Sequence, residues 1–363
     1  MVDEHKAAVR EIRINPIIPS ESVLVATARG MRPKKAEVSA PRDTRRHVET
    51  CPFCAGNEAQ TPPAIASYPA EGEWAIRIVE NLYPVLGDDR SNPNLSFGLQ
   101  QTIDGYGRHE VIIDHNAHGV AVHEMDEAHL ALLFDAYRGR MQQLYRSNPR
   151  LRYVLVFKNF GPAAGASIAH THSQIIGMPV VPENVHLEVT NSRAWYDKHH
   201  QCIFCTLIDE ALTFEATLYD RESGEIRRRI DVGQFVVERG ERFIAIKPFA
   251  SRFEWEVHVL PLAHQSDFLE TTAADHSDLA RVLKRTMARL DAVLGGAQYN
   301  YFLHSLPHGP GGEGCAASFH WHLEICPRTT IPSGFELGSG LFVNTISPEV
   351  AAQKLRTVAL DGM

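Results

Sequence analysis

"GASIAHTHSQIIGMPVVP" (residues 165–182) sets two histidines, His170 and His172, either side of one threonine. Gly165, Ala166 and Ser167 precede them, Gln174 follows, and the stretch holds no Asp, Glu, Lys or Arg. In an extended strand, residues i and i+2 share a face about 7 Å apart. One imidazole can then be held by a metal ion while its neighbour stays fixed nearby and free. A free imidazole is a nucleophile or general base near neutral pH. It attacks through an unprotonated nitrogen, so its other nitrogen should donate to an acceptor. The small residues leave room for a ligand and expose backbone donors. Ser167 and Gln174 are neutral donors suited to phosphate oxygens. The plainer alternative is a core strand whose histidines only pack or bind metal.

Working outward from this stretch uncovers a repeat. "CPFC" holds Cys51 and Cys54, and "CIFC" holds Cys202 and Cys205. The first pair is followed 64 residues after Cys54 by His118, the second 59 residues after Cys205 by His264. Leu130, Leu133, Phe134, Tyr137, Met141 and Leu144 then recur at helical spacing in the first half. Leu279, Val282, Leu283, Met287, Leu290 and Leu294 do so in the second, with Gly295-Gly296 as a stop. Each helix leads to a β-rich run, "YVLVF" at 153–157 and "YNYFL" at 299–303, and each run to an H-x-H, His170/His172 and His320/His322. The same order occurring twice reads as an internal duplication. The boundary is expected near 183–200, giving halves of 1–190 and 191–363.

Cys-x-x-Cys puts two thiolates on one turn, and two distant histidines can complete a tetrahedron. Four protein ligands close the shell of Zn²⁺ and mark a structural site. Cys51, Cys54, His118 and His170 are therefore expected to form one zinc site, and Cys202, Cys205, His264 and His320 a second. His115, His123, His258 and His322 compete for these roles. His115 and His258 are placed inside strands by the pattern.

The chain has 363 residues, 44% hydrophobic and 22% charged, with a net charge of −8. That charge argues against a general nucleic-acid binder, which is usually basic. Arg45-Arg46 and Arg227-Arg228-Arg229 read as solvated faces. No window of 18 apolar residues suggests a membrane helix. "MVDEHKAAVREIRINP" lacks the apolar core of a signal peptide. A cytoplasmic protein follows as the expectation, with its six cysteines reduced rather than paired in disulfides.

"NFGPAAGASIAHTHSQ" (159–174) resembles the active-site segment of the galactose-1-phosphate uridylyltransferases, in the histidine-triad superfamily. Asn159, Gly161, Gly165, Ser167, His170, His172 and Gln174 match the family pattern. "RINPIIPSESVLVATARGMRP", "VENLYP", "FHWHLEICPR", "GFELGSGLFVN" and "SPEVAAQKLR" extend the match over nearly the whole chain. The resemblance implies a duplicated α+β histidine-triad fold with antiparallel sheets and flanking helices, assembled as a homodimer. It implies that His172 attacks the α-phosphorus of a nucleotide sugar, and that the nucleotide then passes to a hexose 1-phosphate. It assigns Arg29, Arg32, Asn81, Asn159, Ser167 and Gln174 to nucleotide and phosphates, with Gly165 beside them. Glu336 matches a hexose-binding glutamate near the subunit interface. Three features depart from the usual pattern: Ser173 follows His172 where Gly is typical, Leu82 follows Asn81, and a second Cys pair is present. Ser173 and the second Cys pair are more like the plant-type ADP-glucose phosphorylases, which hand the nucleotide to inorganic phosphate. His322 is followed by Leu323-Glu324 in place of Ser-Gln, so a single chemical centre per chain is expected.

Overall fold

The computed structural model describes residues 9–31, 42–88 and 94–360. Its centre is an antiparallel sheet of ten strands among the described residues. In chain order these are β1 (Ala64–Tyr68), β2 (Ile76–Glu80), β3 (Arg108–Ile113), β4 (Tyr153–Phe160), β5 (His172–Met178), β6 (Val236–Arg239), β7 (Phe243–Ile246), β8 (Val257–Pro261), β9 (Tyr299–His304) and β10 (His322–Pro327). Their order across the sheet is β6-β7-β8-β10-β9-β4-β5-β3-β2-β1. The halves meet where β4 pairs with β9, with Lys158 opposite Tyr301. The two hairpins repeat one register: Phe157 faces Gln174 in β4/β5, and Phe302 faces Glu324 in β9/β10.

Period-two burial decides which side chains face the helices. Ile78 and Ile112 point into the main core, while Val79, Val111 and Ile113 pack on the other face with Cys51, Phe53 and Cys54. The second half repeats this. Phe243, Ala245, Val257 and Val259 enter the main core, while Ile244 and Leu260 pack with Cys202 and Phe204. The alternation thus sends both Cys pairs to the face opposite the long helices.

Those helices are α1 (Glu127–Ser147) and α4 (Ala273–Leu294), which pack on each other. Asp126 caps α1 by accepting from the His129 N–H at 2.6 Å. Thr272 and Asp275 form a capping box for α4, and Gly295 closes it at φ +65°. The apolar positions expected on each helix lie in or against the main core. The polar stretch expected at the boundary is α2 (Glu183–His199). It is followed by α3 (Ile203–Thr213), which carries Cys205. Helix α2 buries Glu188 as well as Val185 and Val189. A small sheet joins Arg10–Arg13, Val23–Ala26 and Phe342–Asn344. No described helix is long and apolar enough to cross a membrane.

Candidate functional site

The two Cys/His sets expected from spacing each come together. In each, one ligand atom per residue lies within 4.8 Å of all the others. In the first, Cys54 Sγ is 3.5 Å from His118 Nδ1 and 3.6 Å from His170 Nδ1, and Cys51 Sγ is 3.7 Å from His170 Nδ1. A tetrahedron with Zn–S of about 2.3 Å and Zn–N of about 2.05 Å has an S···N edge of about 3.6 Å. In the second, Cys205 Sγ is 3.4 Å from His264 Nδ1 and 3.5 Å from His320 Nδ1. The outer ring nitrogens donate to carbonyls: His170 to His115 (2.7 Å), His264 to Ala316 (2.8 Å) and His320 to Pro261 (3.0 Å). Each such bond fixes the tautomer with the Nδ1 lone pair turned to the cluster centre. Both sets fit a metal ion. His115 stands past the end of β3 rather than inside a strand, and serves the cluster through its carbonyl. Burial pushes its own ring pKa down to about 4.

His172 opens β5 and is buried, with 8% of its surface exposed. Its Nδ1–H donates to the His170 carbonyl at 2.8 Å. Burial holds its pKa below the usual histidine value, although the His170 carbonyl opposes this. The ring is therefore neutral at pH 7, with its lone pair on Nε2. Phe53, between the two cysteines, meets it edge-on with centroids 5.3 Å apart. One backbone carbonyl thus links the first Cys/His cluster to the imidazole of His172.

Beneath His172 lies a buried polar network that the sequence did not announce. Lys158 and Asp114 are both fully buried and paired at 2.6 Å. The Lys158 ammonium also donates to Thr171 Oγ1 (2.8 Å) and to the His172 carbonyl (3.0 Å), using all three of its hydrogens. Ser173 donates to Asp114 at 2.8 Å and meets Tyr137 at 2.6 Å, and Tyr137 meets Tyr301 at 2.7 Å. Ser173, the departure from the usual glycine, is thereby built into the support of the strand.

Gln174 faces a pair of residues from neighbouring segments. Its Oε1 lies 2.8 Å from His109 Nε2, and Asn81 Nδ2 lies 3.1 Å from the same nitrogen. Asn159 accepts from Asn300 at 2.8 Å, and Asn300 also donates to the Ala164 carbonyl at 2.8 Å. This ties the loop after β4 to the second half. Gly161 and Gly165 sit at φ +86° and +84°, the left-handed region that favours glycine. Ser167 is exposed on this loop. Arg29 and Glu336 are elsewhere: they line a cleft of about 160 Å³ with Arg252, Ser333 and Thr345 that includes neither His172 nor Gln174. Arg32 lies outside the described residues.

The second half copies the backbone of the first and changes its chemistry. His322 Nδ1–H donates to the His320 carbonyl at 3.0 Å, as His172 does to His170. Its Nε2 faces Glu188 (3.7 Å) and Glu324 (3.6 Å). Burial alone would lower its pKa, but the two carboxylates raise it to about 10. An imidazolium has no lone pair for attack, and the carboxylates repel phosphate. Glu188, His304, His322 and Glu324 also form a four-residue cluster within 4.8 Å, at the floor of a cavity of about 400 Å³. Sequence reading missed Glu188 and His304 because only the fold brings α2 and β9 to the second H-x-H.

The description "Galactose-1-phosphate uridyl transferase, N-terminal domain" matches residues 1–182. The chain belongs to the galactose-1-phosphate uridyl transferase family. It is 28% identical to ADP-glucose phosphorylase of Arabidopsis thaliana over 96% of this chain and 93% of that one. It is 26% identical to galactose-1-phosphate uridylyltransferase of Thermotoga maritima, over 97% and 99%. In structure it is similar to the Arabidopsis thaliana ADP-glucose phosphorylase with bound ADP-glucose, at TM-score 0.80 and 27% identity, covering 97% and 100%. A uridylyltransferase structure follows at TM-score 0.69 and 26% identity, covering 95% and 97%. The duplicated α+β fold expected of a uridylyltransferase family member is the fold observed.

Proposed function

We propose that this chain is a nucleotidyltransferase working through a covalent nucleotidyl-histidine, most directly a UDP-glucose:galactose-1-phosphate uridylyltransferase. The observation that carries this is the neutral His172, its Nδ1 committed to the His170 carbonyl and its Nε2 lone pair left for attack. Nε2 attacks the α-phosphorus of the nucleotide sugar. The bond from that phosphorus to the bridging oxygen breaks, and hexose 1-phosphate leaves with the electron pair. A phosphate oxygen of the acceptor then attacks the same phosphorus, the P–N bond breaks, and its electrons return to Nε2. Splitting one displacement into two in-line steps is the gain of nucleophilic catalysis. The amide of Gln174 and the hydroxyl of Ser167 supply donors to the phosphoryl oxygens, and Gly165 lets the loop pass close beside them. Asn81 and Asn159 hold the nucleotide.

Zn²⁺ occupies both Cys/His clusters in this reading, and closed four-ligand shells make both structural. Arg29, Arg32 and Glu336 serve the site across a homodimer interface, consistent with the separate cleft that holds Arg29 and Glu336. The enzyme is cytoplasmic.

A second reading, ADP-glucose phosphorylase with inorganic phosphate as acceptor, is favoured by the second Cys₂His₂ cluster and by Ser173. The test is a product assay on one preparation: UDP-glucose with galactose 1-phosphate, and ADP-glucose with phosphate, each followed for release of glucose 1-phosphate. Turnover only in the first supports the uridylyltransferase, and only in the second the phosphorylase. Turnover in neither overturns both.

A further inference from the structure

His109 lies on β3, is buried, and belongs to none of the expected site residues. Its ring touches three groups of differing polarity. The Val85 backbone N–H donates to Nδ1 at 3.2 Å. A backbone amide can only donate, so Nδ1 is the bare nitrogen and the neutral ring carries its hydrogen on Nε2. Among the described residues, that hydrogen has one acceptor in reach, Gln174 Oε1 at 2.8 Å. Asn81 has its own orientation set elsewhere, because its Oδ1 accepts from the Tyr83 N–H at 2.9 Å. Its NH₂ group therefore faces His109 Nε2 at 3.1 Å without an acceptor there, and its hydrogens remain for a ligand. The Asn81 N–H in turn donates to the His109 carbonyl at 3.1 Å, holding the two segments together.

A glutamine amide can present either its NH₂ or its carbonyl oxygen, and the two ends have opposite polarity. Facing a phosphoryl group, the first attracts and the second repels. We infer that His109 is a positioning residue which, by donating to Gln174 Oε1, turns the Gln174 NH₂ toward the phosphoryl group during nucleotidyl transfer. The chain of command starts at a backbone amide. The Val85 N–H selects the tautomer, the tautomer selects the Gln174 rotamer, and the donor is in place before substrate arrives. Preorganised donors need no reorientation as charge develops on the phosphoryl oxygens. This inference rests on the reading of Gln174 as a phosphate contact.

The test is a double-mutant cycle read by the single-turnover rate of His172 adduct formation from nucleotide sugar, on metal-loaded full-length protein. Gln174→Ala removes the donor and is expected to slow the adduct about 100-fold. His109→Leu removes only the orienting bond and is expected to cost about five- to tenfold, the rate equivalent of one net hydrogen bond. In the Gln174→Ala background, His109→Leu should change the rate by less than about twofold, because the group through which it acts is gone. His109→Gln keeps a donor at the position of the ring Nε2 and should stay within about twofold of wild type. If His109→Leu fails to fold, His109→Asn takes its place in the cycle, being polar but too short to reach Gln174. Equal losses in both backgrounds, or a His109→Gln variant as slow as His109→Leu, would overturn the inference while leaving the covalent mechanism standing. Absence of adduct on the wild-type protein would overturn the mechanism, and this inference with it.

Discussion

Replacing Lys158 by methionine tests whether the buried ion pair holds the strand that presents His172. Both partners are fully buried, and the ammonium spends its three hydrogens on Asp114, Thr171 and the His172 carbonyl. Met approximates the volume of the lysine stem, so little of the loss comes from a cavity. The loss comes from Asp114, which keeps the Ser173 hydroxyl as a donor but loses its countercharge. Removing one member of a buried pair costs about 3–5 kcal/mol. That is a large share of a total stability of about 5–15 kcal/mol. At about 1.3 °C per kcal/mol, from an unfolding entropy of about 2.1 cal/mol/K for each of 363 residues, melting should fall by roughly 4–7 °C. The double variant Lys158→Met/Asp114→Asn has no uncompensated charge and should recover at least half of this. The assay is thermal unfolding followed by circular dichroism, on proteins matched for metal content. A loss under about 1 kcal/mol, the range of exposed pairs, would refute the reasoning. So would a double variant as damaged as the sum of the two singles.

Other consequences are measured separately. Cys202→Ser should lower bound metal by one ion per chain, read by elemental analysis, and leave the His172 adduct intact, because β9 and β4 stand between β10 and β5 in the sheet. Gly161→Ala should slow adduct formation and cost about 1–3 kcal/mol, because φ there is +86° and a Cβ would come within 2.6 Å of the Gln298 side chain. Unchanged rate and urea midpoint would contradict this. Lys247 is fully buried, and burial pushes its pKa down to about 7, with Glu256 opposing. Its folded pKa lies below its unfolded value, so the folded state binds fewer protons between pH 7 and about 10.4. Stability relative to Lys247→Met should rise with pH across that window, by up to about 1.4 kcal/mol per unit. A flat difference in urea midpoints from pH 7 to 10 would refute it.

Much of the architecture was legible because its signals are local or repeat. Two cysteines three residues apart declare a turn, and His170 and His172 declare a shared strand face. The helical spacing from Leu130 to Leu144 and from Leu279 to Leu290 declares two amphipathic helices, and the matched order declares the duplication. The Lys158–Asp114 pair was not legible. A lysine in "YVLVFKNF" reads as a solvent-facing residue, and only pairing of β4 with both β5 and β9 encloses it. His109 was hidden for the same reason, since its role depends on a backbone N–H 24 residues away and on Gln174 65 residues away. Glu188 sits in a polar stretch that looks like a linker and is in fact a helix turned toward His304 and His322. His322 shows the converse. Its H-x-H copies that of His172, but the carboxylates that abolish its nucleophilicity come partly from another element. Motif placed Arg29 and Glu336 with the site, whereas the single chain places them in a separate cleft.

The most direct test is intact-protein mass spectrometry after brief mixing with UDP-glucose and, separately, ADP-glucose, with peptide mapping and a His172→Gly control. The account predicts one nucleoside monophosphate per chain, mapped to His172 and absent from the control. A UMP adduct supports the uridylyltransferase and an AMP adduct the phosphorylase. No adduct on metal-replete wild-type protein, or an adduct that persists in the His172→Gly variant, would contradict it.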